Sequence, residues 1–361
     1  MAHTKRFFAA FLILALLLPV LAACGFDAES EVVEVKEVEV TRVVEVEKEV
    51  VVTAEVEMEE ERDMTPVFDF DPTVTPAEPY KLALVLKNFT NPFWLTHQKA
   101  GGRAAEDLGV EVTVLAPSKP DNVEEQIRIV EDLIQSGVDG VAIACANTTA
   151  IATAIQALNE ADIPVVYDNT RGSGGDYVAY VGADNILVGE TMGQEMVDRL
   201  GGEGVVLVLE GMPGQQTADD RRKGVHNILN ENPGITVVSQ TAHWTRVEGL
   251  QVTENVLQRF PELDGIIAIG GEMALGAAEA LKSQGVDLDT VLIQAMDVYP
   301  DIVTAMKNGD VDYTISQAPG NQAYYSIAAL VKYLNGEEVP AEIRTPVVVV
   351  TLDNVDEYAE E

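Results

Sequence analysis

Cysteine is almost missing from this chain: two in 361 residues, Cys24 and Cys145, which rules out a disulfide framework. Cys145 sits inside the apolar run GVAIACA with no histidine near it in sequence, so it reads as a small core residue rather than a nucleophile. The four histidines, His3, His97, His226 and His243, lack metal-ligand spacing and are assigned no chemistry. Basic residues are scarce as well. Lys and Arg number 23 against 60 Asp and Glu, a formal net charge of -37, and no Lys/Arg cluster occurs, so a nucleic-acid partner is excluded. The loop Gly211-Met212-Pro213-Gly214 follows an apolar strand, VVLVLE, and precedes a helix, yet it has neither a Gly-Lys-Ser/Thr ending nor G-x-G-x-x-G spacing. It reads as a hinge-side turn, and no cofactor is expected. Without a nucleophile–base pair, a metal cluster or a cofactor loop, an enzyme is disfavoured.

What is present is apolar substance and a change of character along the chain. With 47% hydrophobic residues the chain can bury two cores. Lys5 and Arg6 precede an apolar run over residues 7–21 and then Leu21-Ala22-Ala23-Cys24, a secretory signal over 1–23. Small residues before a cysteine resemble the lipobox of bacterial lipoproteins, which implies lipid attachment at Cys24. Ordinary cleavage after Ala23, or an uncleaved anchor, would equally put the protein outside the cytoplasm. Residues 24–79 are a Val/Glu-rich stretch, with VVEVKEVEVTR followed by VVEVEKEVVVT. Valine is a poor helix former and the alternation slips, favouring an extended charged tether; the near 11-residue repeat leaves a right-handed coiled coil open. Pro66, Pro72, Pro76 and Pro79 stiffen its end.

From Tyr80 onward strands and helices alternate with short turns, the pattern of parallel sheets covered by helices. Strands start near Lys81, Val110, Gly140 and Pro164, with helices near Pro92, Asn122 and Thr148 between them. A second series has strands near Val205, Ile235, Gly265, Val291 and Asp312, and helices near Ala218, Val247, Glu272, Pro300 and Asn321. Two doubly wound α/β units follow. The stretch KLALVLKNFTNPFW, residues 81–94, runs from an apolar strand into a polar, aromatic loop, and Asn91-Pro92 caps the next helix. Lys87, Asn91, Phe93 and Trp94 thus stand at a strand's carboxyl end, where open α/β sheets bind ligands. Asp168 and Asp297 each follow an apolar strand and are expected to converge in the same cleft. A carboxylate pair invites a glycosidase reading, but carboxylates also accept hydrogen bonds from neighbouring sugar hydroxyls, and binding is preferred. The two tryptophans, Trp94 and Trp244, fall at strand ends, where flat rings cover the apolar faces of a sugar.

Strand-x-x-N-P-F-[FW], then IPVVYDN, GMPGQQTADDRRKG, EMALGAAEAL, IQAMD and YTISQ in this order resemble the type I periplasmic sugar-binding proteins, the ribose-binding group in particular, over roughly residues 80–352. The resemblance implies two doubly wound parallel-sheet lobes joined by a three-segment hinge, with crossings near 182–185, 317–319 and Pro346. The first lobe would comprise 80–183 and 318–346, the second 184–317 and 347–361. It implies a ligand site of Lys87, Asn91, Phe93, Trp94, Asp168, Asn169, Asp219, Trp244, Asp297 and Gln317, a monomeric globular part, and delivery of a small polar ligand to an ABC permease from the extracytoplasmic membrane face. Handing the liganded form to a sensor kinase is the alternative.

The pocket departs from the ribose pattern: Lys87 stands where serine is usual, Asn169 and Asp219 where arginines are, Gly270 where asparagine is. With Asp168, Asp219 and Asp297 acidic against Lys87 as the one cation, an anionic ligand is disfavoured, neutral polyhydroxy compounds lead, amine-bearing sugars or nucleoside-like molecules come next, and ribose itself is expected to bind poorly.

Overall fold

The computed structural model describes residues 66–358. The signal segment, Cys24 and the Val/Glu-rich stretch through residue 65 lie outside the described residues. Thirteen strands and ten α-helices are described, in two sheets. In chain order these are β1 (Pro66–Val67), β2 (Lys81–Val85), α1 (Pro92–Leu108), β3 (Glu111–Leu115), α2 (Val123–Ser136), β4 (Gly140–Ile143), α3 (Ala152–Glu160), β5 (Val165–Asp168) and β6 (Ala179–Gly182). Then come α4 (Asn185–Leu200), β7 (Gly204–Glu210), α5 (Gln216–Leu229), β8 (Ile235–Thr241), α6 (Arg246–Arg259), β9 (Gly265–Ala268), α7 (Gly271–Ser283), β10 (Leu292–Met296), α8 (Pro300–Asn308) and β11 (Tyr313–Ser316). The chain closes with α9 (Pro319–Leu334), β12 (Glu342–Arg344), β13 (Val348–Val350) and α10 (Val355–Tyr358).

The first sheet has the order β1-β12-β6-β5-β4-β2-β3, all parallel. The second runs β13-β11-β10-β9-β7-β8, parallel except for the antiparallel edge strand β13. The chain passes between sheets after β6, after β11 and after β12, the three-segment hinge. Both faces of each sheet are covered, and β2 shows why its sequence is continuously apolar. Leu82, Leu84 and Leu86 pack into one layer of the first lobe while Ala83 and Val85 pack into the other.

Two departures from the sequence reading matter for function. Residues 66–79, expected to end the tether, are built onto the first lobe. Strand β1 pairs with β12, Phe70 is buried edge-on against Tyr325, and Lys332 and Asn335 of α9 and its end donate to the Thr73 and Thr75 carbonyls. The sequence pattern does not mark strand β6 or helix α4, because a four-residue strand and a helix carrying Gly189 and Gly193 give weak local signals. Those glycines serve packing: a Cβ on Gly189 would lie 2.1 Å from the Arg221 carbonyl oxygen, and one on Gly224 2.2 Å from that of Ile186. Helices α4 and α5 therefore touch backbone to backbone, which fixes where α5 delivers its side chains.

Candidate functional site

The cleft is lined from the first lobe by Lys87, Asn88, Asn91, Phe93, Trp94, Asp121 and Asn169. From the second lobe and the hinge come Gln215, Thr217, Arg221, Trp244, Gly270, Gly271, Asp297 and Gln317. Eight of the ten residues expected at the ligand site line it; Asp168 and Asp219 do not.

The β2–α1 loop is shaped by its asparagines. Asn88 Oδ1 accepts from the backbone N–H groups of Thr90 and Asn91 at 3.1 and 2.9 Å, a local turn. Asn91 Oδ1 accepts from the Phe93 N–H at 3.0 Å and caps α1, with Pro92 at the first helical position. Phe93 and Trp94 are thereby held edge to face, ring centroids 4.7 Å apart. Lys87 reaches over Trp94, its Nζ 5.5 Å from the ring centroid, and is buried. Burial pushes its ammonium down to about 8.

Opposite stands Trp244, at the turn after β8. His243 and Trp244 both have positive φ, 46° and 64°, a costly conformation for residues with a Cβ. The indole occupies space left by glycine: a Cβ on Gly211 would lie 2.1 Å from it, and one on Gly270 2.8 Å. Gly270, read from the sequence as a lost polar contact, makes room for the aromatic wall. Asp121, Asn169, Asp297 and Ala318 also have positive φ, so five of the seven such non-glycine residues among the described residues line the cleft or stand at the hinge, and His243 adjoins Trp244.

The hinge side is a connected polar network. Arg221 Nη2 donates to Gln317 Oε1 at 2.8 Å, and Gln317 Nε2 donates to Asp297 Oδ1 at 2.8 Å. Arg221 also donates to Asn185 Oδ1 and the Ile269 carbonyl. Asn169 Nδ2 donates to Gln322 Oε1 at 2.9 Å, and Gln322 Nε2 donates to the Gln317 carbonyl. A single network thus joins the ends of β5 and β10 to α5 and to two of the three hinge segments, at Asn185 and Gln317, and a solute hydroxyl placed here meets groups whose rotamers are already set.

Two site expectations are corrected. Asp219 lies on the outer side of α5, lining a surface groove with Glu190 and Arg222, and its carboxylate accepts from the Gly214 N–H at 3.2 Å. The buried cation on that helix is Arg221, which no local pattern singles out, and the pocket is therefore not the acidic one that Asp219 would make. The cleft holds Lys87 and Arg221 against Asp121 and Asp297, a balanced set. Asp168 is fully buried behind the cleft wall, accepting from Ser326 Oγ at 3.2 Å and facing His97. Desolvation pushes its carboxyl up to about 8. It does not pair with Asp297 across a bond to be cleaved. His97, assigned no chemistry, is buried beside it; its place five residues into α1, on the face of Phe93 and Trp94, was the available signal. Among the described residues no group of three or more His, Cys, Asp or Glu is placed to hold a metal ion.

A family model described as periplasmic binding protein domain matches residues 82–338. The ribose import binding protein of Bacillus subtilis is 32% identical over 267 residues, covering 74% of this chain and 86% of that protein. Among solved structures, an ABC transporter solute binding protein from Bacillus halodurans with bound myo-inositol has a TM-score of 0.73 and 30% identity, covering 79% of this chain and 99% of that one. A periplasmic solute binding protein from Actinobacillus succinogenes with bound D-allose has a TM-score of 0.73 and 28% identity, covering 77% and 100%. Two parallel-sheet lobes, a triple hinge and an aromatic, polar cleft between them agree with these likenesses: the chain belongs to the periplasmic binding protein family, in its type I sugar-binding group, and is a binding protein rather than an enzyme.

Proposed function

We propose that this protein captures a neutral polyhydroxy solute, a sugar or cyclic polyol, in the interlobe cleft and delivers it to an ABC permease, the protein being held to the membrane by lipid on Cys24. The observation that carries the reading is the pairing of Phe93 and Trp94 on one lobe with Trp244 on the other, around a balanced set of charged and amide groups. Aromatic faces cover the C–H faces of a ring while Asn91, Asn169, Arg221 and Asp297 read its rim. The balance of two cations and two carboxylates supports a neutral ligand over an anion or a cation. The relatives bind ribose, D-allose and myo-inositol by name.

The test is a thermal-shift and calorimetry panel of ribose, D-allose, myo-inositol, linear polyols, amino acids and sugar phosphates on the full chain. A solute that binds only the folded protein stabilises it by about 2.7 kcal/mol at a hundredfold excess over Kd. Stabilisation by a neutral polyol is expected; selective stabilisation by an amino acid or a sugar phosphate sinks the reading. Cys24→Ser is expected to move the protein out of the membrane fraction or leave an unprocessed precursor, and unchanged membrane retention of a processed form rejects the lipid anchor.

A further inference from the structure

Gln215 is the last residue before α5, on the second lobe, and is fully buried. Its amide uses all four of its hydrogen-bonding positions. Oε1 accepts from Lys87 Nζ at 3.0 Å and from Trp244 Nε1 at 2.9 Å; Nε2 donates to Asp121 Oδ1 at 2.8 Å and to the Ala146 carbonyl at 3.0 Å. Two pure donors on one side and two acceptors on the other leave the amide a single orientation. Three of the four partners belong to the first lobe and are themselves fixed there: the Asp121 N–H donates to the Lys87 carbonyl at 3.2 Å, and the Ala146 N–H donates to Gln126 Oε1 at 2.9 Å. Around this amide the same loop makes two further crossings, the Thr148 N–H to the Gly214 carbonyl and the Gln216 N–H to Thr148 Oγ1, each 2.9 Å.

We propose that Gln215 is a positioning residue that latches the two lobes and, in doing so, assembles the recognition surface: one oxygen sets Lys87 of the first lobe and Trp244 of the second only when the cleft is closed. Opening breaks the three bonds to the first lobe and releases Lys87 from the oxygen that continues to hold Trp244. The latch stands on the geometry alone; that the assembled surface recognises a polyol rests on the proposed function.

The latch is read without any ligand, by hydrogen exchange of the full chain. In Gln215→Leu the amides of Thr148 and Gln216 are expected to lose protection by at least about tenfold, while β4 and β7 keep theirs. Gln215→Glu places a carboxylate oxygen against both Asp121 and the Ala146 carbonyl and is expected to open the lobes in the same way; adding Asp121→Asn supplies an N–H to that carboxylate and is expected to restore part of the protection. Unchanged exchange at Thr148 and Gln216 in Gln215→Leu, or no rescue by Asp121→Asn, overturns the proposal. A wild-type chain stabilised selectively by an amino acid or a sugar phosphate overturns the functional reading while leaving the exchange result to decide the latch. Where one of these probes binds, Gln215→Leu is expected to raise its dissociation rate by about tenfold or more, and an unchanged rate also overturns the coupling.

Discussion

His97 Nε2 stands 3.5 Å from Asp168 Oδ2, and both side chains are fully buried. Nδ1 of the same ring faces the Phe93 carbonyl at 3.3 Å, which places the ring proton on Nδ1 and makes Nε2 an acceptor. Desolvation holds His97 down at about 3 and Asp168 up at about 8, so at neutral pH the pair is an uncharged imidazole facing a protonated carboxyl. Charging either member behind a dry aromatic wall costs more than the separation returns.

The pH dependence follows from those directions. A carboxyl with a folded pKa of about 8 against an ordinary 3.8 favours folding fully below pH 3.8, and that contribution is lost as pH rises to about 8. His97 has the opposite sense, contributing above 6.5 and losing it as pH falls toward 3. Asp168→Asn removes only the first. Its stability relative to wild type, from denaturant unfolding between pH 4 and 8.5, is expected to climb with pH; a difference that is flat across this range refutes the protonated carboxyl.

Arg221 and Asp219 are expected to behave oppositely. Arg221→Met breaks three charge-assisted hydrogen bonds, leaving Asn185 Oδ1 without its donor and Gln317 Oε1 with only the longer bonds from Asn169 and Gln322 at 3.4 Å, so solute affinity is expected to fall by about 2–3 kcal/mol, roughly a hundredfold. Asp219→Asn is expected to stay within about threefold of wild type. Isothermal titration decides the matter, and a large loss in the Asp219 variant alone would return that residue to the cleft.

Replacing Gly211 by alanine puts a methyl group 2.1 Å from the Trp244 indole, against 2.8 Å at Gly270. The indole has to move into the cleft. Gly211→Ala is therefore expected to weaken solute binding by at least about tenfold, or about 1.4 kcal/mol, and Gly270→Ala by less. Trp94 and Trp244 are the only tryptophans in the chain, so intrinsic emission reports the displacement directly; unaltered emission and affinity in both variants would show that the ring can relax elsewhere.

The N-terminal strap is part of the first lobe's stability. Phe70→Ala empties a slot against Tyr325 and is expected to cost about 3 kcal/mol, as buried Phe-to-Ala changes do. A chain beginning at residue 80 loses β1 as well and is expected to unfold at a lower temperature than one beginning at residue 66. Equal melting temperatures for the two truncations would show that residues 66–79 add nothing to the fold.

Much of this protein was written locally. Strand β2 could be read because Leu82 to Leu86 must be apolar on both faces of a covered parallel strand, and the start of α1 because Asn91-Pro92 satisfies and pre-sets the first helical turn. The cleft position of Lys87, Phe93, Trp94 and Asp297 followed from standing just beyond strand ends. Tertiary structure alone decided the rest. Asp219 and Arg221 sit two residues apart on α5, about 200° around the helix axis, so which one faces the cleft depends on how α5 packs against α4 through Gly189 and Gly224, an event no stretch of chain reports. Asp168 follows its strand as expected, yet its side chain meets His97 and Ser326, from helices that begin 76 residues before it and 151 after. Residues 66–67 become a strand only because β12, some 275 residues later, leaves an edge to pair with. Backbone hydrogen bonding, side-chain burial and interlobe contact are satisfied by partners distant in sequence, and those partners, rather than local propensity, settle which of the chemically suitable residues the cleft uses.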